Sequence, residues 1–266
     1  RHRAARRAAL WRLRDSWAAP VIAIISDLHS NLEAVEAVMD ECERMGVTRY
    51  LCLGDVIGYG PDPVAVADFV RARCDVSLMG NHEEALVTGK HRFNPHAAKA
   101  IDWTRQSLQS TGDGAMEWFR QRKPFALKGQ ILMVHGSIYD PVHDYVDEPE
   151  NPIEAQQMID TLNKDFSGFD ICFAGHNHTP FLATTMGVMV PHDGHRSFRI
   201  PKGHKAYICV GSVGQPRDRD NRASFATLDG ELLTFHRIDY DVQKTQQKII
   251  SAGLNRFLAD RLGEGI

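Results

Sequence analysis

The chain has 266 residues, a formal net charge of -3 and a pI near 6.5, so it lacks the strongly basic balance of an obligate nucleic-acid binder. No apolar segment approaches the ~20 residues that a membrane span needs, and the amino end lacks the apolar core of a secretory signal. Five widely spaced cysteines without a Cys-x-x-Cys pair predict reduced, buried thiols in a cytoplasmic protein; they are Cys42, Cys52, Cys74, Cys172 and Cys209.

The first twenty residues differ in composition from everything that follows. Six arginines precede the first acidic residue, Asp15; two leucines and Trp11 lie among them, and Trp17 follows. This pattern is typical of a basic amphipathic arm for anionic surfaces or RNA, and it overlaps with organellar transit peptides. The alternative is an extension that packs as a helix and has no function of its own. We predict a basic extension over residues 1–20 and a single domain over residues 21–266.

Short apolar runs alternate with segments of helical periodicity from residue 21 onward. Asn31 is a suitable N-cap for the first helix, and Gly46 is a suitable end. Strands that alternate with helices predict a largely parallel sheet at this end of the chain. The predicted strands cover residues 21–25, 49–53 and 75–79, and the predicted helices cover residues 32–46, 63–73 and, in two pieces divided near Gly112, 95–122.

The second half contains shorter apolar runs that are separated by turn signals. Strands predicted at residues 130–134 and 170–174 frame an acidic, proline-containing connection around residues 140–152, which is a candidate substrate loop. Asp-Gly and other glycine turns predict β-hairpins within residues 181–238, and residues 241–262 predict one or two helices. We expect the parallel first half and the hairpin-rich second half to pack as two sheets around one core.

Five short polar motifs each follow an apolar run, at the point where a loop leaves a predicted strand. Functional sites gather at the carboxyl ends of strands in α/β sheets, so five such ends can bring distant side chains together. Each motif alone has a structural explanation, such as a turn or a helix cap, but their joint occurrence favours a site. In chain order they are Asp27-x-His29, Gly54-Asp55, Gly80-Asn81-His82-Glu83, His135-Gly136 and Gly175-His176-Asn177-His178.

The donor atoms of these motifs suit divalent metal ions. Two carboxylates, one amide oxygen and four imidazoles favour ions between hard and borderline, namely Mn, Fe, Zn or Ni. A carboxylate between two cations can bridge them, and Asp55 is the best candidate for that bridge. Two such ions would lower the pKa of a water enough to give a hydroxide nucleophile at neutral pH, so no protein nucleophile is required.

The ordered set of motifs resembles the calcineurin-like metallophosphoesterase superfamily over roughly residues 21–228. The resemblance implies an α/β fold, a four-layer αββα sandwich of two mixed β-sheets flanked by helices. It also implies phosphoester hydrolysis at two divalent metal ions, with His82 as the acid that protonates the leaving group. The implied ligands are Asp27, His29 and His178 for one metal, Asn81, His135 and His176 for the other, and Asp55 as the bridge.

A later segment, from Gly211 to Arg217, resembles the Asn-Pro-Gly-Ser-x-Gly-x-Pro-Arg segment of small bacterial members of the superfamily, but Cys209-Val210 replaces Asn-Pro here. In that comparison Ser212 could supply a hydrogen-bond donor near the metals, and Arg217 could reach a phosphate. The alternative is a tight turn between two strands. Ser212, Arg217 and Tyr59 are therefore the candidate substrate-binding residues.

The residues three and four positions after Asp55 differ from those of the phosphoprotein phosphatases of the superfamily. Those enzymes have an aspartate that orients the catalytic histidine and then an arginine that grips phosphate, whereas this chain has Gly58 and Tyr59. The difference argues against a dedicated serine/threonine phosphatase and against a symmetrical dinucleoside tetraphosphatase. The remaining similarity is to the small bacterial phosphodiesterase-like, diadenosine tetraphosphatase-related group, where Tyr-Gly-Pro follows the aspartate.

The sequence thus favours a phosphoesterase that acts on phosphodiesters, small nucleotides or phosphomonoesters. One alternative is a non-catalytic scaffold, since a retromer subunit that resembles these enzymes lacks the catalytic histidine and binds partners; the presence of His82 weighs against it. Another is a nuclease that uses the basic extension, whose RNA or DNA cleavage would weaken steeply with salt.

Overall fold

The structure is a computed structural model that describes residues 21–89, 93–112, 114–165 and 167–266. The predicted basic extension, residues 1–20, lies outside the described residues. Within the described ranges, none of the helices is both long and apolar enough to span a membrane.

The described residues form strands and helices that largely follow the predicted order. The strands are β1 (Ile22–Ile25), β2 (Arg49–Cys52), β3 (Cys74–Ser77), β4 (Phe125–Lys128), β5 (Ile131–Val134), β6 (Ile171–Ala174), β7 (Pro180–Thr184), β8 (Gly187–Met189), β9 (Ser197–Arg199), β10 (Ala206–Val210), β11 (Ala223–Asp229) and β12 (Leu232–Ile238). The helices are α1 (Leu32–Arg44), α2 (Pro63–Arg73), α3 (Asn81–Thr88), α4 (Pro95–Thr111), α5 (Ala115–Arg120), α6 (Pro152–Asp165), α7 (Val242–Ser251) and α8 (Arg256–Glu264).

A local signal marks the start of α1. The side chain of Asn31 accepts a hydrogen bond from the backbone N–H of Ala34, which confirms the predicted cap of α1. Strand β4 and helix α6 were not predicted. Both have weak apolar patterns: the two large side chains of β4, Phe125 and Leu127, are each 52% exposed, and α6 buries only Leu162 fully.

The strands of the described residues form two mixed six-stranded sheets. In the first, with the order β3-β2-β1-β11-β12-β9, β1 to β3 are parallel and β11 runs antiparallel to β1. In the second, with the order β4-β5-β6-β10-β7-β8, β5, β6 and β10 are parallel.

The expectation that the two halves of the chain pack as the two sheets is wrong. Strand β11 comes from the second half of the chain but pairs with β1, which places Ala226 opposite Ile24. The pairing covers an edge of β1 that would otherwise present unpaired N–H and C=O groups. The first sheet therefore contains strands from both halves, whereas the strands of the second sheet all lie within residues 125–210.

Burial along β1 shows how the layers stack. Ile24 packs between the two sheets, whereas Ala23 and Ile25 pack toward the helices on the outer face of the first sheet. The outer face of the second sheet packs against Leu162 of α6. The order of helices, sheet, sheet and helix confirms the four-layer αββα sandwich.

Candidate metal centre

All seven predicted metal ligands meet at one edge of the molecule, where strands of both sheets end. Loops after β1 and β2 carry Asp27, His29 and Asp55, and α3 begins at Asn81 directly beyond β3. The loops after β5 and β6 carry the remaining three histidines. Six of the seven side chains are buried and Asn81 is half-buried. The seven are Asp27, His29, Asp55, Asn81, His135, His176 and His178.

The backbone of these loops adopts conformations that ordinary residues rarely occupy. Of the eight non-glycine residues with positive φ in the described chain, seven lie in the loops after β1, β2 and β6. They are Asp27, His29, Ser30, Asp55, Tyr59, His176 and His178. A left-handed residue costs of order 1–3 kcal/mol and persists only where the surrounding structure enforces it, so strain is concentrated at this edge.

The two carboxylates are held in the same way. Oδ2 of Asp27 accepts the backbone N–H of His176 at 3.0 Å, and Oδ1 of Asp55 accepts the backbone N–H of His82 at 2.9 Å. The second oxygen of each carboxylate stays directed at the imidazoles. Each aspartate is thus oriented by one oxygen and offers the other to a ligand.

The first cluster consists of Asp27, His29 and His178. Oδ1 of Asp27 lies 3.1 Å from Nε2 of His178 and 3.8 Å from Nε2 of His29. The two Nε2 atoms are 3.1 Å apart, and Oδ1 has no hydrogen-bond partner among the described residues. A buried carboxylate oxygen and two imidazole nitrogens that converge in this way fit a divalent cation.

The second cluster consists of Asp55, His135 and His176, with Asn81 beside it. Oδ2 of Asp55 lies 3.4 Å from Nε2 of His135, and this nitrogen is 3.1 Å from Oδ1 of Asn81. Within each cluster the possible ligand atoms lie within 4.8 Å of one another. A third group of the same kind, His29, Asp55 and His82, joins the two clusters.

Backbone carbonyls fix the orientation of three imidazoles. In each pair one ring nitrogen hydrogen-bonds to a carbonyl oxygen, and the other nitrogen is left for the centre. This arrangement sets the tautomer and raises the basicity of a metal-ligating histidine. The pairs are His29 Nδ1 with the carbonyl of Ile57, His178 Nδ1 with that of Gln215, and His176 Nε2 with that of His143.

The pKa shifts keep most of the predicted metal ligands in the deprotonated state that binds cations. Burial raises the pKa of Asp27, but nearby His178 outweighs this and holds it well below its usual range. The pKa of Asp55 is also lowered, by His135 and His82 against the effect of burial. Burial lowers the pKa of His176 to about 3. His135 is the exception, because Asp55 overcomes burial and raises its pKa to about 9; it would have to lose that proton to act as a ligand.

His82 lies at the same edge without an orienting carboxylate. Its Nε2 is 3.9 Å from Oδ2 of Asp55, and its Nδ1 is buried with no hydrogen-bond partner in the described chain. That nitrogen faces Gly58, where an added Cβ would lie only 2.1 Å away. Because φ of Gly58 is also +93°, both the space and the backbone require glycine there.

Glu83 ends the Gly80-Asn81-His82-Glu83 motif, and the sequence predicted no role for it. Its buried carboxylate accepts backbone N–H groups from Asp55 at 2.8 Å, Val56 at 2.8 Å, Ile57 at 3.2 Å and Gly80 at 2.9 Å. Burial raises its pKa to about 8. The residue joins the start of α3 to the Asp55 loop, and the capping-box position three residues after a helix N-cap was the signal that could have identified it.

Two of the three candidate substrate-binding residues, Tyr59 and Ser212, differ in placement. Tyr59 packs 4.6 Å from the rings of both His29 and His82. Ser212 is fully buried, donates to the carbonyl of Asp27 at 2.8 Å and accepts the N–H of Gln215. This geometry favours a structural role for Ser212, because its hydroxyl is already occupied in holding the Asp27 loop.

The predicted substrate loop around residues 140–152 contacts the centre. The ring of Tyr145 stacks on His176 with 3.7 Å between the centroids, and it is 52% exposed. The side chain of Asn177 donates to the carbonyl of Val146 at 2.7 Å. The loop therefore forms one wall of the site.

Comparison with known proteins agrees with this geometry. Residues 20–180 match the family described as Calcineurin-like phosphoesterase. The uncharacterized protein MJ0912 of Methanocaldococcus jannaschii is 32% identical over 248 residues, which cover 91% of this chain and 97% of that protein.

Two solved structures extend the comparison to the fold. The crystal structure of a metallophosphoesterase from Sphaerobacter thermophilus has a TM-score of 0.80 and 33% identity, covering 93% of this chain and 100% of that one. Hypothetical protein PH1004 from Pyrococcus horikoshii OT3 has a TM-score of 0.73 over 93% of this chain and 99% of that one. At 18% identity, the second likeness concerns the fold alone.

Proposed function

We propose that this chain, which belongs to the calcineurin-like phosphoesterase family, is a dinuclear metal-dependent hydrolase of phosphoric esters. The family is metal-dependent, and the buried clusters of histidine and aspartate agree with that property. The proposal adds the number of metals, the role of each residue and the class of substrate.

The observation that carries the proposal is the position of one carboxylate oxygen. Oδ2 of Asp55 lies 3.8 Å from His29, in the first cluster, and 3.4 Å from His135, in the second. A carboxylate oxygen so placed can serve both clusters, which supports two cations with Asp55 between them. Single-metal sites do not need an acid in that position.

The donor set supports Mn, Fe, Zn or Ni, because imidazoles dominate and thiolates are absent among the proposed ligands. Asp27, His29 and His178 would hold one ion, Asn81, His135 and His176 the other, and Asp55 both. When bound, two such ions would supply an activated water and charge stabilisation at phosphorus.

His82 is the proposed catalytic residue. Burial lowers its pKa to about 4, so its ring is neutral at pH 7. We therefore assign it the donation of a ring N–H to the leaving oxygen, which is a hydrogen-bond version of the acid role. Its ring is held between Tyr59 and Phe93, each with its centroid 4.6 Å away, and these contacts support a fixed orientation.

The proposed substrates are phosphodiesters, small nucleotides or phosphomonoesters. The absence of a side chain at Gly58 leaves His82 without the carboxylate that orients it in phosphoprotein phosphatases, which supports this choice. Arg217 stays a candidate phosphate contact; its Nε and Nη2 both donate to the side-chain oxygen of Gln215 at 3.2 Å.

The alternatives gain less support. A non-catalytic scaffold does not need His82 beside a complete ligand set, and the basic extension required by a nuclease lies outside the described residues.

None of the five cysteines forms a disulfide, which supports the proposal of a reducing, cytoplasmic environment.

A metal analysis coupled to an activity panel tests the proposal. Purified protein should contain two equivalents of metal by elemental analysis. It should hydrolyse bis-p-nitrophenyl phosphate or p-nitrophenyl phosphate in the presence of Mn²⁺. Protein that holds two metals but hydrolyses neither ester would contradict the enzymatic proposal and favour the scaffold.

A further inference from the structure

The carboxyl-terminal helix α8 places an arginine beside the metal centre. The Cζ atom of Arg261 lies 5.7 Å from the centre of the Tyr59 ring, and its Nε donates to the backbone oxygen of Ile266 at 2.7 Å. Tyr59 in turn contacts His29 and His82. Arg261 is thus separated from the predicted ligands by one aromatic ring.

A second arginine is linked to the first through one glutamine. Arg217 donates to the side-chain oxygen of Gln215, and the side-chain nitrogen of Gln215 donates to the same Ile266 oxygen that Arg261 uses, at 2.6 Å. The backbone oxygen of Gln215 accepts a hydrogen bond from His178. Both guanidinium groups therefore border one wall of the centre. We call Arg217 and Arg261 the arginine pair.

The arginine pair has no aspartate or glutamate partner, although Arg261 and Gln215 share the Ile266 oxygen. Among the described residues, no aspartate or glutamate oxygen lies within 4 Å of either guanidinium, whereas Arg256 on the same helix faces Asp260 at 3.5 Å. Burial, together with nearby Arg217, lowers the pKa of Arg261 to about 10, yet the group stays charged at neutral pH. Two half-buried cations near each other repel, and a bound anion would relieve that cost.

No hydrogen bond or ion pair joins either arginine directly to one of the seven proposed ligands in the described chain. The pair is therefore suited to an anionic group next to the one that the metals would hold. Guanidinium groups recognise phosphate oxygens through forked, charge-assisted hydrogen bonds.

We propose that Arg217 and Arg261 bind a second phosphate group of the substrate, so that this site prefers phosphoesters that carry a further phosphate next to the scissile one. The inference rests on the proposed phosphoesterase activity. It also places helix α8 at the site. That helix supplies an arginine, whereas the phosphoprotein phosphatases of the superfamily have theirs at the position of Tyr59.

Calorimetric binding of two probes, orthophosphate and imidodiphosphate, tests the arginine pair without turnover. Wild-type protein of measured metal content should bind imidodiphosphate more tightly than orthophosphate. Arg217→Gln and Arg261→Gln should each weaken imidodiphosphate roughly ten- to hundredfold and orthophosphate much less, because charge-assisted contacts are lost. Arg261→Lys, which keeps the charge but not the fork, should fall between.

Arg256→Gln is the matched control, since this arginine lies on the same helix but is exposed and paired. It should bind both probes as wild type does. Folded Arg217 and Arg261 variants that keep the wild-type preference, or that weaken both probes equally, would overturn the inference. Circular dichroism and urea unfolding establish that each variant is folded.

The two proposals fail in different ways. Protein that hydrolyses no ester but shows arginine-dependent binding of imidodiphosphate contradicts the enzymatic proposal only. Protein that hydrolyses esters but shows no such dependence contradicts the arginine pair only.

Discussion

Histidines withdrawn from water occur in two contrasting regions, the metal centre and the β11–β12 hairpin. In the hairpin, His236 lies in regular strand, its Nε2 is 2.8 Å from Oγ1 of Thr227, and its ring stacks on Phe225 at 4.6 Å. At the centre, His29 and His178 have left-handed backbones, and their inner nitrogens face each other and Asp27.

The comparison shows which features distinguish the histidines of the candidate centre from His236. Burial lowers the pKa of His236 to about 4 and that of His176 to about 3, so a depressed pKa does not separate the regions. A ring nitrogen directed at a carboxylate does separate them, and for His29, His176 and His178 a left-handed backbone does so as well. A substitution in one of these two regions leaves the other region unchanged as the reference.

The largest effect is expected from Asp55→Asn. Because Oδ2 of Asp55 faces both clusters, the substitution should reduce metal content below two equivalents and lower turnover at least ~10³-fold, since bound metals supply several kcal/mol of transition-state stabilisation. Elemental analysis and the ester assay measure both effects. Retention of two metals and full turnover would remove Asp55 from the bridging role.

Asp75→Asn is the matched control for that change. Asp75 lies in β3 of the same sheet and pairs with Arg49 at 2.8 Å on the surface. An exposed pair of this kind contributes ~0–1 kcal/mol to stability, so metal content and turnover should stay at wild-type levels.

His82→Ala should have the next largest effect. Metal content should be unchanged, and turnover should fall roughly 10²- to 10⁴-fold, most steeply for esters with poor leaving groups, because the N–H donor to the leaving oxygen is lost. His204→Ala, at an exposed position, serves as control. Equal turnover of an alkyl ester by wild type and His82→Ala would eliminate the proposed role.

Gly58→Ala should give a smaller loss with a distinct cause. The new Cβ would meet Nδ1 of His82 at 2.1 Å, so the ring must shift, and turnover should fall about tenfold or more. Gly46→Ala is the matched control, because its φ is +72° but nothing lies within 4 Å of an added Cβ. Gly46→Ala should lose about 1 kcal/mol of unfolding free energy from backbone strain; Gly58→Ala should lose more, because the clash adds to the strain, and only Gly58→Ala should lose turnover.

The sequence predicted the convergence of the seven side chains better than the strand order of the sheets. Local patterns identify Asp55 because a carboxylate directly after an apolar strand must lie at the end of that strand. The pairing of β11 with β1 could not be predicted, since apolar periodicity gives the face of a strand but not its neighbour.

Residues that act through tertiary contacts were missed for the same reason. Arg261 lies in an amphipathic helix at the far end of the sequence, and only folding brings it to Tyr59. Its lack of an aspartate or glutamate partner is likewise a property of the packed structure, because sequence spacing shows only local ion pairs such as Arg256 with Asp260.

The smallest effect on activity is expected in the hairpin, where His236→Gln should leave turnover unchanged. The native pKa of His236, about 4, lies below its ordinary value of 6.5, so the unfolded chain binds more protons between these values. Its stabilising contribution is complete above pH 6.5 and is lost as the pH falls toward 4. Urea unfolding should therefore show that the free-energy difference between wild type and His236→Gln declines by about 2 to 3 kcal/mol from pH 7 to pH 4. Because only the difference is compared, the other groups that titrate in this window cancel. A constant difference across the window would show that His236 is protonated as readily in the native hairpin as in the unfolded chain, and the contrast with the metal centre would then extend to protonation.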